Sequence, residues 1–338
     1  MTAILPVRLT VSGGRIAVFV HHNDIIDTIT VTKGRQMNTN RLGQSDLYVS
    51  AMGLGCMTLG TDEAKAAAII HEALDHRINF LDTADLYDEG RNEEIVGRAI
   101  RHRRADVILS TKVGNRRIPG KEGWSWDASK AYIRLAVKES LRRLQTDYID
   151  LYQLHGGTLE DEIDETIEAF EELKQEGVIR HYGISSIRPN VIREYVQRSG
   201  IVSVMSQYSI LDRRPEESIL PLLARGGISL IARGPLASGI LTEHGGSKVE
   251  RAYLDYTAAE LSELHGQLMQ QTTLTRTLTQ TALQYPLADP AVAAIIPGAS
   301  SLAQLRQNIA SATSPPLSDL ELEAVRKVNK AGRYTLHL

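Results

Sequence analysis

Short apolar segments alternate with longer amphipathic segments along the chain from Leu47 onward. The longer segments place apolar residues every three or four positions, as at Ile133, Val137 and Leu141, which is the spacing of one helix face. The alternation predicts a parallel sheet, because right-handed crossovers place a helix between successive parallel strands. The eight predicted strands are Met52–Gly55, Phe80–Asp82, Val107–Lys112, Tyr148–His155, His181–Ser185, Val204–Gln207, Ile228–Arg233 and Ala293–Pro297.

Eight such units favour a closed barrel, with an open doubly wound sheet as the alternative. No Gly-x-Gly-x-x-Gly motif opens a helix near the first strand, which weakens a Rossmann interpretation. We expect Asn40–Val49, with Gly43 near its middle, to form a hairpin that closes the barrel floor, and Ser318–Asn329 to form an additional terminal helix. Residues 37–338 are predicted to be one domain. Residues 1–36 are interpreted as a loosely ordered N-terminal extension, with a small hairpin as the alternative.

Composition narrows the class of protein. A chain of 338 residues with 42% hydrophobic and 23% charged residues is typical of a soluble globular protein. A net charge of −3 gives no reason to expect nucleic acid or an anionic membrane as a partner. The single cysteine, Cys56, fits a reducing compartment, and no apolar run approaches the roughly 18 residues of a spanning helix. We therefore expect a cytoplasmic protein. Our expectation for its assembly is a monomer or a weak oligomer.

Polar side chains stand where the predicted strands end. Asp82, Lys112 and His155 each end one strand, and Tyr87 follows Asp82 by five residues. In a parallel barrel the carboxyl ends of the strands form the rim on which active sites are built. These four side chains are therefore predicted to converge at one rim. Taken singly, each has an ordinary structural explanation, so the prediction depends on their joint placement.

The four residue types suit proton transfer to a carbonyl oxygen. A free phenol has a pKa near 10, so lowering that pKa to neutrality requires about 4 kcal/mol in favour of the phenolate. A cation about 4 Å away at an effective dielectric of 20 contributes roughly that much. Lys112 is the candidate cation, Asp82 its partner, and His155 a second donor to a substrate oxygen. Such a set can protonate an alkoxide as a hydride reaches the carbonyl carbon. No metal is expected, because no close His/Cys/carboxylate cluster accompanies His155.

Several longer motifs occur in a fixed order. The main one is Leu81-Asp-Thr-Ala-Asp-Leu-Tyr87 with Asn92-Glu-Glu-Ile-Val-Gly97; supporting segments are Leu109–Lys112, Asp147–His155, Tyr182–Ser185 and Ile296–Gly298. With these motifs the sequence resembles the aldo-keto reductase superfamily from about Arg41 to Val328. The resemblance implies an α/β fold, the (β/α)8 TIM barrel, which binds an extended nicotinamide dinucleotide at its C-terminal rim. NADP (as NADPH) is the expected cofactor, with NAD as the alternative, and a small-molecule carbonyl compound is the expected substrate.

The resemblance also implies roles for individual residues. By position, Asp82, Tyr87, Lys112 and His155 match the catalytic tetrad, in which Tyr87 would donate the proton. Positions that match cofactor contacts are Ser185, Ser186 and Gln207 at the nicotinamide carboxamide, Gly234, Leu236 and Ser238 at the pyrophosphate, and Pro297, Gly298, Ala299, Ser300, Gln304 and Asn308 at the adenosine-phosphate end. Exposed N–H groups at a helix start favour an anion at that last position.

The chain departs from the family pattern at three places. Arg233 stands where many members place an aromatic ring against the nicotinamide; it is kept as a cofactor-binding candidate, with a phosphate or the substrate as its other possible contacts. Gly298 and Gln304 replace a lysine and an arginine that grip the 2′-phosphate in some branches, so these positions do not secure NADPH over NADH. Gly156 follows His155 where some branches have a tryptophan, which is expected to widen or reshape the pocket.

The main hypothesis is NAD(P)H-dependent reduction of aldehydes or ketones to alcohols, a reversible reaction. A nicotinamide-binding regulatory or redox-sensing protein with low turnover is the alternative. An aldolase using Lys112 as a Schiff-base nucleophile ranks last, because it needs a neutral lysine. Trp124 and Trp126, on a loop after the strand bearing Lys112, are expected to form either an apolar substrate wall or packing between helix and barrel.

Overall fold

The computed structural model describes residues 36–118, 120, 123–272 and 276–338. Apart from Gln36, the predicted N-terminal extension lies outside the described residues. The strands are β1 (Thr39–Arg41), β2 (Tyr48–Ser50), β3 (Leu54–Gly55), β4 (Phe80–Asp82), β5 (Ile108–Val113), β6 (Asn115–Arg117), β7 (Trp124–Trp126), β8 (Ile149–Leu154), β9 (Ile179–Ser185), β10 (Ser203–Gln207), β11 (Ser229–Arg233) and β12 (Val292–Ile296).

Eight of these described strands form one parallel sheet in the order β3-β4-β5-β8-β9-β10-β11-β12. Parallel bridges join Met52 to Ile295 and Gly55 to Gly298. These bridges connect the two edge strands, β3 and β12, so the sheet closes into a barrel. The predicted barrel is therefore confirmed. All eight predicted strands are present, with bounds that differ by at most two residues.

The barrel interior changes from apolar to polar along its axis. In β8, Leu151 packs inside the barrel, whereas Tyr152 and Leu154 pack against the surrounding helices. Because side chains alternate along a strand, Gln153 shares the inner face with Leu151. In β5, Ser110 and Lys112 lie opposite Leu151 and Gln153 and therefore also share the inner face. Polar side chains thus occupy the inner positions near the carboxyl ends of the strands.

The predicted floor hairpin is confirmed. Strands β1 and β2 pair antiparallel, and Leu42 and Leu47 between them pack against buried side chains inside the barrel. Two hydrogen bonds attach the hairpin to the strands: Asn40 Nδ2 donates to the Ala293 carbonyl oxygen (2.8 Å), and the Gly43 amide donates to Ser229 Oγ (2.8 Å). Both acceptors lie where β12 and β11 begin, so the hairpin seals the amino-terminal end of the barrel.

Amphipathic helices cover the outside of the sheet. They are α1 (Glu63–Asp75), α2 (Arg91–Ile100), α3 (Lys130–Leu144), α4 (Ile163–Gln175), α5 (Pro189–Arg198), α6 (Arg214–Gly226), α7 (Ala258–Gln270), α8 (Leu278–Leu287), α9 (Leu302–Ala312) and α10 (Asp319–Val328). The last of these confirms the predicted terminal helix, which begins at a capping box formed by Ser318 and Glu321. No helix in the described ranges is both long enough and apolar enough to span a membrane.

One local prediction was wrong. Trp124–Trp126 is not a loop but strand β7, which pairs antiparallel with β6. The hairpin leads directly into α3, whose N-cap is Ser129: its hydroxyl accepts from the Tyr132 amide, while Asp127 accepts from the Ser129 amide and hydroxyl.

The packing of α2 on α3 gives a stability prediction with its own control. At Gly97 in α2, an added Cβ would lie 2.6 Å from Leu144 Cα, so the backbones would have to separate. Gly97→Ala should lower the free energy of unfolding by about 1–3 kcal/mol. At Gly266 in α7 an added Cβ meets nothing within 4 Å. Gly266→Ala should therefore raise the free energy of unfolding by about 0.5–1 kcal/mol. Denaturant unfolding of both variants checks this; a stabilising Gly97→Ala would contradict the packing.

Candidate active site

A buried ion pair lies at the carboxyl ends of β4 and β5. Lys112 Nζ is 2.7 Å from Asp82 Oδ2 and donates a further hydrogen bond to the Thr83 carbonyl oxygen (2.7 Å). Lys112 is 1% exposed and Asp82 4%. Burial by itself lowers the pKa of Lys112, but the charge of Asp82 and the hydrogen bonds to Asp82 and Tyr87 raise it, and the net pKa lies above its ordinary value. The lysine is therefore held as an ammonium ion.

The Tyr87 hydroxyl is 3.3 Å from Lys112 Nζ. Directly after it, Asp88 (φ 46°) and Glu89 (φ 60°) are left-handed, a conformation that costs roughly 1–2 kcal/mol for a residue with a Cβ. An ion pair between Glu89 and Arg117 (2.8 Å) in β6 ties this turn to the neighbouring hairpin. Strained backbone of this kind persists only where surrounding contacts determine it, and it is common at functional sites.

His155 follows β8 and lies beside Tyr87, with ring centroids 6.1 Å apart in an edge-to-face arrangement. Its amide donates to the Val113 carbonyl oxygen (2.7 Å), which fixes the backbone. Its Nδ1 atom is buried and has no hydrogen-bond partner among the described residues. Burial, with smaller contributions from the charges of Lys112 and Arg233, lowers the pKa of His155 to about 3. The imidazole is therefore neutral at physiological pH.

The structure thus brings the four predicted side chains together at one end of the barrel. It also shows supporting residues that the sequence analysis missed. Ser110 Oγ donates to Asp82 Oδ1 (3.0 Å), and Gln153 Nε2 donates to Ser110 Oγ (2.8 Å). Each lies two residues before a predicted site residue, Lys112 or His155, so the alternation of a strand was the signal that could have revealed them.

A second missed network lies behind the turn between Asp82 and Tyr87. Glu93 is fully buried and accepts from Thr111 Oγ1 (2.6 Å) and Arg143 Nε (2.6 Å). Asp85, within the turn itself, has a buried Oδ1 atom without a partner in the described structure. Burial, and next the negative charge of Glu93, raise the pKa of Asp85 to about 8. Asp85 is thus a largely protonated acid near neutral pH.

The candidate cofactor residues lie at the carboxyl ends of β9 to β12 and just beyond them. Ser185 and Ser186 are buried at the end of β9, and the Ser186 hydroxyl accepts from the Arg188 amide (3.2 Å). In β10, Gln207 Nε2 donates to the Tyr253 hydroxyl (2.8 Å). Arg233 lies opposite Gln207 in the β10–β11 register, and its Nη1 atom is 3.5 Å from Gln207 Oε1.

The segment after β11 has an unusual backbone. Ala237 (φ 46°) and Ser238 (φ 57°) are left-handed without being glycine, between Gly234 (φ 65°) and Gly239 (φ 87°). Turns of this kind can direct successive N–H groups into a concave anion site. At Gly234 an added Cβ would find only Gln207, at 3.9 Å, so the space beside it is open. This backbone and the open space beside Gly234 are features that a dinucleotide would fit.

The segment after β12 leads into α9. Ser301 caps the helix by accepting from the Gln304 amide (3.2 Å), and Gln304 Oε1 accepts from the Ser300 amide (2.9 Å). Ala299 is fully buried. Asn308 is also buried and donates to the Gly298 carbonyl oxygen (3.1 Å). In this structure Gln304 and Asn308 therefore hold the Gly298–Ser300 turn in place, and Pro297 joins it to β3 by accepting from the Gly55 amide (3.2 Å).

Trp126 occupies the space beside the glycine that follows His155. An added Cβ at Gly156 would lie 3.0 Å from the Trp126 ring, and one at Gly114 would lie 2.6 Å from it. The indole nitrogen donates to Asp161 Oδ1 (2.8 Å), which fixes the ring against the barrel. The room gained by Gly156 is thus taken up by Trp126. Trp124, by contrast, is 51% exposed.

Comparison with known proteins identifies the family. The model of the Aldo/keto reductase family matches residues 51–330. The chain belongs to this family. The reductase is 58% identical over 306 residues to the uncharacterized oxidoreductase YqkF of Bacillus subtilis (strain 168), covering 89% of this chain and 99% of the relative. It is 31% identical over 322 residues to the NADH-specific methylglyoxal reductase of Escherichia coli (strain K12), covering 86% and 98% of the two chains.

Solved structures give the same result. The aldo-keto reductase AKR11C1 from Bacillus halodurans, in its holo form, is 56% identical to this chain with a TM-score of 0.85, covering 89% of this chain and 99% of that one. Family, relatives and fold together establish the class of activity. The protein is an oxidoreductase that reduces carbonyl compounds with a nicotinamide cofactor.

The buried acid Asp85 gives a prediction on the pH dependence of stability. Its pKa is about 8 in the fold, against an ordinary value of 3.8, so the folded reductase keeps a proton that the unfolded chain loses. Asp85 therefore lowers the free energy of unfolding progressively as pH rises from about 4 to about 8. In Asp85→Asn this loss should be absent. The melting-temperature difference between Asp85→Asn and wild type should grow over that range and then level off.

Melting curves at a series of pH values check the prediction, with Asp106→Asn, an exposed carboxylate, as the control. The control should differ from wild type by no more than about 0.5 kcal/mol at each pH. An Asp85→Asn difference that is constant from pH 4 to 8 would show that Asp85 is ionised in the fold.

Proposed function

We propose that the reductase uses NADPH to reduce aldehydes or ketones, with Tyr87 as the proton donor to the carbonyl oxygen. The observation that carries this proposal is the Tyr87 hydroxyl 3.3 Å from a buried ammonium, Lys112, which is itself bound to Asp82 at 2.7 Å. A phenol beside a fixed cation can lose its proton to a developing alkoxide, because the cation stabilises the phenolate that remains.

Lys112 and Asp82 are proposed to assist proton transfer from Tyr87, but neither residue donates a proton to the substrate. Lys112 donates to Asp82, to the Thr83 carbonyl oxygen and to Tyr87, so its three N–H groups have three acceptors. The ammonium is thereby fixed in position and in charge before substrate arrives. Preorganised charge of this kind stabilises a transition state without reorganisation during the reaction.

His155 is proposed to orient the carbonyl oxygen. With a pKa of about 3 it is neutral, and a neutral imidazole carries one N–H that can donate to that oxygen. A neutral ring also adds no second positive charge beside Lys112. The reaction is then expected to keep its rate between about pH 5 and 7 without an inflection from His155.

The proposed cofactor site runs along the carboxyl ends of β9 to β12 and the segments that follow them. When bound there, the nicotinamide supplies the hydride. Ser185, Ser186 and Gln207 are proposed to hold its carboxamide, with Arg233 next to them. Proposed phosphate and adenosine contacts are Gly234, Leu236, Ser238, Pro297, Gly298, Ala299, Ser300, Gln304 and Asn308. The choice of NADPH rests on the cofactor expected for the family, whereas one relative named above is NADH-specific.

Two alternatives predict different chemistry. Schiff-base formation needs a neutral lysine, whereas the raised pKa of Lys112 keeps it charged. A regulatory protein with low turnover would bind the cofactor without reducing a broad set of carbonyl compounds. The proposed location is the cytoplasm, which the buried free thiol of Cys56 fits.

The proposal is tested by Tyr87→Phe. Removing the hydroxyl should lower kcat by roughly 100-fold to 10,000-fold, because the general acid is lost, while NADPH binding changes little. Steady-state reduction of a panel of reactive aldehydes, followed by NADPH absorbance, measures the first quantity. Fluorescence titration with NADPH and then NADH measures the second and ranks the two cofactors.

Tyr48→Phe is the matched control. Tyr48 is 58% exposed in the floor hairpin at the opposite end of the barrel, and its replacement should leave both quantities unchanged. A Tyr87→Phe enzyme with wild-type kcat would remove Tyr87 from the mechanism. A wild-type protein that binds NADPH tightly but reduces none of the aldehydes would favour the regulatory alternative.

A further inference from the structure

Arg233 lies at the mouth of the barrel and has no counter-charge in direct contact among the described residues. Lys112 is neutralised by Asp82, and the buried Asp212 by Arg214, whose Nη2 atom is 2.7 Å away. Within the described part of the chain, by contrast, no carboxylate oxygen lies within 4 Å of the Arg233 guanidinium. Its one side-chain hydrogen bond there is the 3.5 Å contact with the neutral Gln207.

This positive charge acts on the place where the hydride is transferred. Arg233 lies two residues after Ile231 in β11, and because Ile231 packs inside the barrel, Arg233 shares the inner face at the carboxyl end, where Tyr87 and His155 lie. Consistent with this placement, its charge and that of Lys112 lower the pKa of His155, after the larger effect of burial. A carbonyl oxygen held by Tyr87 and His155 places its carbon next to them. A hydride donor must approach that carbon to about 3–3.5 Å. If the proposed function holds, the nicotinamide ring must therefore lie close enough to Arg233 for the positive charge of Arg233 to act on it.

The two oxidation states of the cofactor differ in charge at that ring alone. Reduced nicotinamide is neutral and oxidised nicotinamide carries one positive charge, whereas the phosphates and riboses are the same in both. Contacts with those common groups cancel when the two dissociation constants are divided. The ratio of the two dissociation constants therefore reports how much one positive charge at the nicotinamide ring weakens or strengthens binding.

We propose that Arg233 sets the preference of this reductase for the reduced cofactor over the oxidised one. The inference rests on the proposed function. Two unit charges about 10 Å apart at an effective dielectric of 20 change an equilibrium constant by about tenfold. Arg233 weakens binding of the oxidised form by at least this factor relative to the reduced form. Oxidised cofactor is then released readily, which favours carbonyl reduction over alcohol oxidation.

The test is the ratio of the dissociation constants of NADP+ and NADPH, measured by calorimetry on wild type and variants. Arg233→Met removes the charge and should lower the ratio by about tenfold. Arg233→Lys keeps the charge and should retain most of the ratio. Arg41→Met removes a cation from the floor hairpin, at the opposite end of the barrel, and should leave the ratio unchanged. NADH and NAD+ replace the pair if they bind more tightly.

The outcomes separate this inference from the proposed function. If wild type binds neither form of either cofactor, the proposed function fails and the inference with it. If wild type binds and Arg233→Met changes the ratio less than twofold, the inference alone is overturned. Arg233→Gln gives the same comparison should Arg233→Met misfold, as judged by circular dichroism.

Discussion

The buried ion pair between Asp82 and Lys112 is the interaction on which the site depends. Two charges removed from water are tolerated only where each finds its partner and its remaining hydrogen bonds. Here the barrel supplies them: Ser110 donates to Asp82, and the Thr83 carbonyl oxygen accepts from Lys112. Removing one partner would leave a buried charge uncompensated, at a cost of about 3–5 kcal/mol. The fold thus fixes a cation at one point of the barrel mouth, and Tyr87 lies against it.

The position of this pair follows from how the barrel interior is divided. Below it, Leu151, Met205 and Ile231 fill the barrel, and the floor hairpin inserts Leu42 and Leu47 among them. Because the barrel interior is apolar and covered by the hairpin at its amino-terminal end, the carboxyl end is the place where inward polar side chains can meet solvent and substrate. The polar ends of β4, β5 and β8 therefore share one environment, although His155 lies 73 positions after Asp82 in the chain.

Much of this arrangement could be predicted from the sequence, because it depends on local signals. Strand length, helix spacing and the polar residue ending each strand are all visible within a few positions. The environment of Asp85 was not, because its raised pKa depends on burial and then on the charge of Glu93, which lies in α2 and is bound by Arg143 of α3. The Trp126 ring over Gly156 was missed for the same reason, because this contact joins residues that lie far apart in the sequence. The β6–β7 pair is local, and it was missed because the Trp124–Trp126 segment was interpreted as a loop.

The central claim is that the Lys112 charge makes Tyr87 able to give up its proton. It is tested most directly by single-turnover hydride transfer in Lys112→Met with NADPH already bound, followed by loss of NADPH absorbance after an aldehyde is mixed in. A second variant, Asp82→Asn with Lys112→Met, avoids leaving Asp82 as an unpaired buried charge. The account predicts that both variants bind NADPH within a few-fold of wild type and transfer hydride at least about 100-fold more slowly. Hydride transfer at the wild-type rate in a folded, NADPH-bound variant would contradict it.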